Sequence, residues 1–436
     1  MLRKAAAGAL LLRHNASQLI LRRYLGTEEK TSGVLLRDFL QKSLYDPDQG
    51  YFTAARGPVP VGSVGRPLSF PQLAGEEGYR RAVREVYDTL ETSWLTPSEI
   101  FTPFYGKAVA NFILDKHSQM AEPGSSLNIL EVGGGTGTLA RDVLDHLRAA
   151  APASYAQCSY TSVEISPQLA DVQKRTVSKT AGHGSHHQVE CRDAGDPMGW
   201  SQSADLCFIL MMEVLDNCPH DRIHRDPSSG DWQQACVVEA EQDDQGRPGP
   251  AREVLRPLTD DLIRRCLATG PWEFNGKPLW HRVLDFALDA GSLGAEQAIF
   301  LPTKCLALLG TLCKARPNHC LLAADFDELP ETTIPGKNAP LVASTEAGLA
   351  RDHATLLVPP GTADIFFPTD FQMLDRMYNS TAKAAGKGAG LQTSVMKSRD
   401  FMRRYASLAE TTCAGGYNPL LQDFKNTSFF VGQRFD

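Results

Sequence analysis

The chain lacks several features, and each absence removes a class of protein. No uninterrupted apolar run approaches the roughly 18 residues of a membrane-spanning helix; the longest candidate, residues 206–215, is broken by Glu213. None of the ten cysteines forms a Cys-x-x-Cys pair, and several sit inside apolar runs, as Cys207 does in Leu206-Cys207-Phe208-Ile209. Buried free thiols in a reducing compartment are therefore expected instead of a disulfide framework. Two groups hold metal-ligand side chains: His183, His186 and His187, and Cys313, His319 and Cys320. Neither has the paired short spacing of a structural zinc site, and no metal is expected. There is no basic excess, since 44 Lys and Arg face 51 Asp and Glu for a net charge of -7. That disfavours a nucleic-acid partner, which calls for a positive footprint to displace counterions. No internal repeat is visible, and with 42% apolar and 22% charged residues the composition excludes collagen, long coiled coil and wholesale disorder. At 436 residues the chain has length for one large or two modest domains.

The first 23 residues stand apart. They carry Arg3, Lys4, Arg13, Arg22 and Arg23, and no acid precedes Glu28. An Arg-bearing, acid-free amphipathic start is the composition of an organellar transit peptide, here read as a mitochondrial presequence over 1–23. Arg22-Arg23-Tyr24-Leu25 resembles an arginine-proximal cleavage site. A secretory signal over residues 5–12 is the rival reading; it is disfavoured because a second basic amphipathic stretch follows and no small-residue cleavage site closes the run.

Further along, short apolar runs alternate with helical patterns. Strands are expected at 127–132, 159–165, 187–191 and 205–211, and helices at 138–149 and 167–178. Strand–helix alternation with nearly unbroken apolar strands predicts an α/β fold around a parallel sheet. A polar interruption over 226–258 reads as a hairpin or flap inserted in the sheet domain. The alternation resumes at 279–288, with a helix at 303–315, a strand at 320–324 and a last strand candidate at 363–368. Beyond Lys383 a flexible Ala/Gly/Lys stretch leads to 424–431, apolar enough to dock on the core. These boundaries divide the chain into 1–23, a helical lid region 24–114, a core 115–382 with its insertion, and a tail 383–436.

The most informative segment is Glu131-Val132-Gly133-Gly134-Gly135-Thr136-Gly137, a strand ending in glycines that opens a helix. Glycine serves a turn that demands positive φ and a backbone that must approach a ligand closely. Glu131 before the glycines would repel a pyrophosphate but suits a ligand with a cationic end. The next strands end at Glu164, suited to ribose hydroxyls, at Asp193, suited to an adenine amino group, and at Glu213 and Asp216. A carboxylate-rimmed crevice with no Lys on its glycine loop suits S-adenosylmethionine better than ATP or NAD.

These residues lead to a family. Asp46-Pro47-Asp48-Gln49-Gly50-Tyr51-Phe52, the loop 131–137, Glu164-Ile165-Ser166-Pro167 and Glu213-Val214-Leu215-Asp216-Asn217-Cys218-Pro219 resemble the motifs of the MidA-type mitochondrial S-adenosylmethionine-dependent methyltransferases, described as complex I assembly factors. The resemblance runs from near Leu40 to the C-terminus. It implies a Rossmann-like class I methyltransferase sheet, S-adenosylmethionine as cofactor held by Glu131, Gly133, Gly134, Gly135, Gly137, Glu164 and Asp193, and a location in the mitochondrial matrix. It also implies a protein arginine as acceptor, on a core matrix-arm subunit of respiratory complex I. Two departures stand out: Gly134 replaces a frequent proline, and Met212 replaces the Asn that precedes the motif Glu.

A guanidinium needs carboxylates to orient it. Glu213 and Asp216, three apart, are expected on a helical turn that aims both into the crevice as a clamp. Tyr45, Tyr51 and Phe52 are expected either to line a peptide groove or to pack a turn onto the core. Two other readings stay open: a methyltransferase fold that escorts a partner without turnover, motivated by Met212, and a small-molecule or RNA methyltransferase. The sequence leaves the oligomeric state open, a homodimer included.

Overall fold

The computed structural model describes residues 33–434 except 55–60, 90–94, 123, 239–248, 250, 271–297, 331, 347–348 and 387–389. The expected presequence and the stretch 279–288 thus lie outside the described residues. In chain order the strands are β1 (Val34–Leu35), β2 (Leu127–Val132), β3 (Cys158–Glu164), β4 (His187–Cys191), β5 (Cys207–Met212), β6 (Asp221–Arg225), β7 (Trp232–Val238), β8 (Arg252–Pro257), β9 (Ala298–Leu301), β10 (His319–Phe326), β11 (Leu341–Glu346), β12 (Leu349–Asp352), β13 (Asp364–Phe366), β14 (Leu391–Lys397) and β15 (Thr427–Arg434).

Buried apolar strands assemble into a central sheet of order β14-β15-β10-β5-β2-β3-β4. β10, β5, β2, β3 and β4 run parallel; β15 is antiparallel to both β10 and β14. The chain runs outward from β2 to β4, then returns to place β5 on the other flank of β2. That reversal leaves a crevice beyond the strands' carboxyl ends. The sheet has helices on both faces. On one, helices Phe104–Met120 (α2) and Thr138–Ala150 (α3) pack Val109, Phe112, Val143 and Leu147 onto Ile129 and Leu210. On the other, Thr303–Ala315 (α4) and Phe371–Ala384 pack Leu309, Leu312, Leu374 and Met377 onto Ile209, Leu321 and Ala323.

The segment expected to dock, 424–431, instead supplies β15 itself. Its alternation places Phe429 in one core and Phe430 in the other, and Phe429 stacks on Phe401 at 4.0 Å and 2°. A fully buried phenylalanine contributes roughly 1.5–3 kcal/mol, so both faces of this strand hold it in the sheet.

The expected insertion is indeed a hairpin, β7 with β8, but it does not enter the central sheet. β7 belongs to a separate antiparallel sheet with β1, β6 and β9. The candidate strand 363–368 likewise forms β13 of a small sheet with β11 and β12. Helix α1 (Leu36–Tyr45) follows β1 and buries Leu36, Phe39, Leu40 and Leu44 against Val237, Phe300, Ile365 and Phe367. The region 24–114 therefore contributes to two cores, since Phe70, Tyr79 and Phe101 join the central one. Arg37 pins α1: Nη1 donates to Asp221 Oδ2 at 2.7 Å and Asp260 Oδ1 at 2.8 Å, and Nη2 to Asp260 Oδ2 at 2.7 Å. Asp221 is wholly buried and also accepts from the Thr303 hydroxyl at 2.7 Å. Among the described residues no helix is long and apolar enough to cross a membrane.

Candidate active site

The glycine turn begins where β2 ends. Gly133, Gly135 and Gly137 have φ of 70°, 53° and 83°, a left-handed conformation that costs other residues about 1–2 kcal/mol. The Gly137 amide donates to Gly134 O at 2.9 Å, closing the turn, and Gly137 caps α3. A Cβ on Gly137 would lie 3.0 Å from Val177 Cγ2; one on Gly134 would lie 2.8 Å from Glu131 Oε2.

Above the reversal point lies a cavity of 350 Å³, within the roughly 300–1,000 Å³ of ligand pockets. Gly133 and Gly135 line it, with Glu164 and Ile165 after β3, Asp193 and Ala194 after β4, and Glu213 after β5. Glu164 is 3% exposed. Its Oε1 accepts the Ser166 amide at 2.9 Å and its Oε2 the Gln173 Nε2 at 2.9 Å, while burial pushes its carboxyl up to about 7. Asp193 is exposed and its Oδ1 takes the Gly195 amide at 2.7 Å.

A smaller cavity of 80 Å³ adjoins it around the glycine turn, sharing Val61, Gly133, Gly135 and Glu213. Glu131 and Gly134 line this one and not the larger, and Gly137 lines neither. Glu131 is buried, accepts the Ser162 hydroxyl at 3.4 Å, and is pushed up to about 7 by burial. Glu99, Tyr105 and Met212 also line it. The Thr136 hydroxyl donates to Glu99 Oε1.

Glu213 stands on the rim common to both cavities. Its φ of 54° is left-handed for a non-glycine residue, a strain of about 1–3 kcal/mol that marks functional sites; its amide donates to Ala324 O at 2.8 Å. Burial, then the nearby charge of Asp325, pushes its carboxyl up to about 8.

Asp216 is different. It lines neither cavity, and residues 213–217 form a turn, not a helix. The structure does not bring the expected Glu213–Asp216 pair together on the cavity rim, since Glu213 lines both cavities and Asp216 neither. The Leu215 and Asp216 amides donate to Asp325 Oδ2 at 2.9 and 3.2 Å. The Asp216 side chain is buried, its Oδ1 without a hydrogen-bond partner among the described residues. Burial first, then Asp325, Asp364 and Glu213, pushes its carboxyl well up.

Two of the residues lining the larger cavity, Gln41 and Lys304, escape a sequence reading, whereas Tyr45 and Phe52 are expected at a groove or a packed turn. Gln41, Tyr45 and Phe52 come to the larger cavity from α1 and the loop after it; Asn217 and Lys304 come from beyond β5 and from the first turn of α4. The histidines weighed as metal ligands engage neighbours instead: His183 meets Tyr155 Oη at 2.7 Å, and His187 meets Ser162 and Ser178 hydroxyls at 3.1 and 3.0 Å.

The donor set fits a nucleoside with a cationic amino-acid end. Carboxylates surround the glycine turn, which itself carries no cation. Arg192, at the larger cavity's edge, is engaged by Glu190 at 2.7 Å and lies 4.0 Å over the Trp200 ring.

Comparison with known proteins agrees. A family model described as "Putative S-adenosyl-L-methionine-dependent methyltransferase" matches residues 108–389. The protein arginine methyltransferase NDUFAF7 homolog, mitochondrial, of Schizosaccharomyces pombe is 22% identical over 331 residues, covering 73% of this chain and 68% of its own. A crystal structure of a candidate methyl transferase from Burkholderia thailandensis, bound to S-adenosyl-homocysteine, superposes with a TM-score of 0.59 at 17% identity, covering 97% of this chain and 93% of that one. A second, native structure of an uncharacterized protein from the same organism gives 0.55 at 16% identity over the same shares. The chain belongs to this family of S-adenosyl-L-methionine-dependent methyltransferases, with S-adenosyl-L-methionine as its cofactor.

Proposed function

We propose that this methyltransferase modifies an arginine side chain of a mitochondrial matrix protein, a core matrix-arm subunit of respiratory complex I during assembly. The observation that carries the reading is the smaller cavity beside the cofactor crevice: among the described residues Glu99, Glu131 and Glu213 line it, and no Lys or Arg does. A guanidinium is matched by carboxylates that accept its N–H groups in a plane. The mitochondrial protein arginine methyltransferase of fission yeast and the acid-free, Arg-bearing start of the chain support the acceptor and the compartment.

In this reading Glu164 holds the ribose hydroxyls and Asp193 the adenine amino group. Gly133 and Gly135 let the backbone come close, while Glu131, Gly134 and Gly137 shape the turn. When bound, S-adenosylmethionine supplies an electrophilic methyl group on a sulfonium. Displacement is in line, so the protein's work is positioning and charge stabilisation. Glu213, with Glu99 in place of Asp216, orients the guanidinium and spreads charge over the nitrogens that do not react. The Glu213 carboxylate, held near 8, then takes up the proton released as the new C–N bond forms, a basicity suited to neutral pH.

The reading is tested by mass spectrometry of mitochondrial proteins from cells with and without this chain. Loss of one methylarginine on a complex I subunit is expected. Unchanged methylarginines, together with intact cofactor binding, would instead favour the escort role motivated by Met212, which lines the smaller cavity.

A further inference from the structure

The Asp46–Phe52 motif sits in a loop whose construction is out of proportion to a simple turn. Asp46 Oδ1 accepts the Asp48 and Gln49 amides at 3.0 and 3.1 Å, and its carbonyl accepts the Gly50 amide at 2.8 Å and the Thr53 hydroxyl at 2.6 Å. A Cβ on Gly50 would lie 2.4 Å from Asp46 N, which explains the glycine. The loop then doubles back on α1: the Tyr51 amide donates to Ser43 O at 3.1 Å and the Phe52 amide to Leu44 O at 2.9 Å. Tyr45 and Phe52 are thereby stacked, centroids 5.7 Å apart and planes at 21°.

This stack is tied to both banks of the larger cavity. Tyr45 Oη donates to Asn217 O at 3.0 Å, beyond β5. Gln168 Nε2, just beyond β3 and its Glu164, donates to Ala54 O at 3.0 Å. From outside, Gly361 donates to Ser43 O at 3.0 Å, and a Cβ there would fall 1.8 Å from Gln49 O. Behind the loop, α1 is anchored by Arg37 in its buried ion network. Two half-buried aromatic rings thus turn their free surface into the cavity that Glu164 and Asp193 also line.

We propose that Tyr45 and Phe52 are cofactor-binding residues: the loop 45–54 is a fixed aromatic roof over the adenosyl group, supplied by the second sheet's module and not by the methyltransferase sheet. These rings then serve the nucleoside, not a peptide groove. The proposal rests on the cofactor reading of the larger cavity.

Hydrogen exchange of the full chain with and without S-adenosylhomocysteine tests it without any mutation. Slower exchange is expected at 45–54 as well as at 133–137. Calorimetry on Phe52→Leu, which keeps apolar bulk but removes the ring, is expected to show about tenfold weaker S-adenosylhomocysteine binding, the scale of one ring–base contact. Protection at 133–137 with none at 45–54, or an affinity within twofold in a folded Phe52→Leu protein, overturns the roof. Protection at neither segment overturns the cofactor reading of the cavity, and the roof with it. If Phe52→Leu does not fold, the exchange result on the unmodified chain decides.

Discussion

Replacing Glu164 by Gln separates a cofactor ligand from a structural acid. The carboxyl is 3% exposed and raised from 4.5 to about 7 by burial, so its charged form at pH 8 costs about 3 kcal/mol of stability. Gln removes that cost. It also leaves one of two donors, the Ser166 amide or Gln173 Nε2, facing an NH₂ group, at about 1–3 kcal/mol. The two effects nearly cancel, and the melting temperature of the ligand-free protein at pH 8 should move by only a few degrees. Binding should not escape. Hydrogen bonds to an ionised acceptor are worth about 1.5–3 kcal/mol each, and the amide keeps one acceptor oxygen, so about 2–3 kcal/mol is lost, close to a hundredfold in affinity. Titration calorimetry with S-adenosylhomocysteine measures this directly. The unmodified protein should also bind more weakly as pH falls below 7, while the variant stays flat. An affinity within threefold of the parent, with unchanged melting, would refute the assignment.

Glu213→Gln should lower methyl transfer at least a hundredfold in a radiolabel assay and leave S-adenosylhomocysteine affinity within a few-fold, because in the proposed mechanism its carboxylate serves the acceptor; parallel loss of both would move it to the cofactor. Arg37→Met strands the wholly buried Asp221 and should cost about 3–5 kcal/mol in urea unfolding; a cost below 1 kcal/mol would mean the network is dispensable. Stability of the ligand-free chain should fall between pH 6.5 and 8. Burial raises Glu131, Glu164, Asp325 and Asp364 to about 7 and Glu213 to about 8; the folded state holds protons there that the unfolded state has lost, so ionisation favours unfolding. Below 6.5 His187 and His220, lowered by burial to about 4 and 3, act in the opposite sense. Scanning calorimetry across this range checks the slope.

The parallel strands were legible because strands buried on both faces read as apolar runs, and the glycine turn because positive φ leaves a compositional mark. β7 with β8 was legible as a hairpin, yet its partnership with β1 was not: an antiparallel register between Val34 and Val237 leaves no local trace. The segment 424–431 looked like a docking tail, since its apolar residues say that it is buried but not against what. At the site, the acids at the strand ends were visible as residue types. Their roles were not. Glu213 takes a left-handed φ and lines both cavities while Asp216 lines neither, and no spacing rule reports a dihedral angle. Lys304 had no signal at all, because its place depends on the second sheet's route back to the first.

β15 lies between β10 and β14 in the central sheet, although it is drawn from residues 427–434. While the chain is still emerging from the ribosome, β10 therefore waits with a bare edge of unpaired amides and carbonyls beside a finished parallel half. A stop codon anywhere upstream of Thr427 would leave that edge permanently open. Late truncations should consequently behave as aggregation-prone losses of the whole enzyme, not as mild trimming, and the newborn chain should be exposed to edge-to-edge association until β15 arrives.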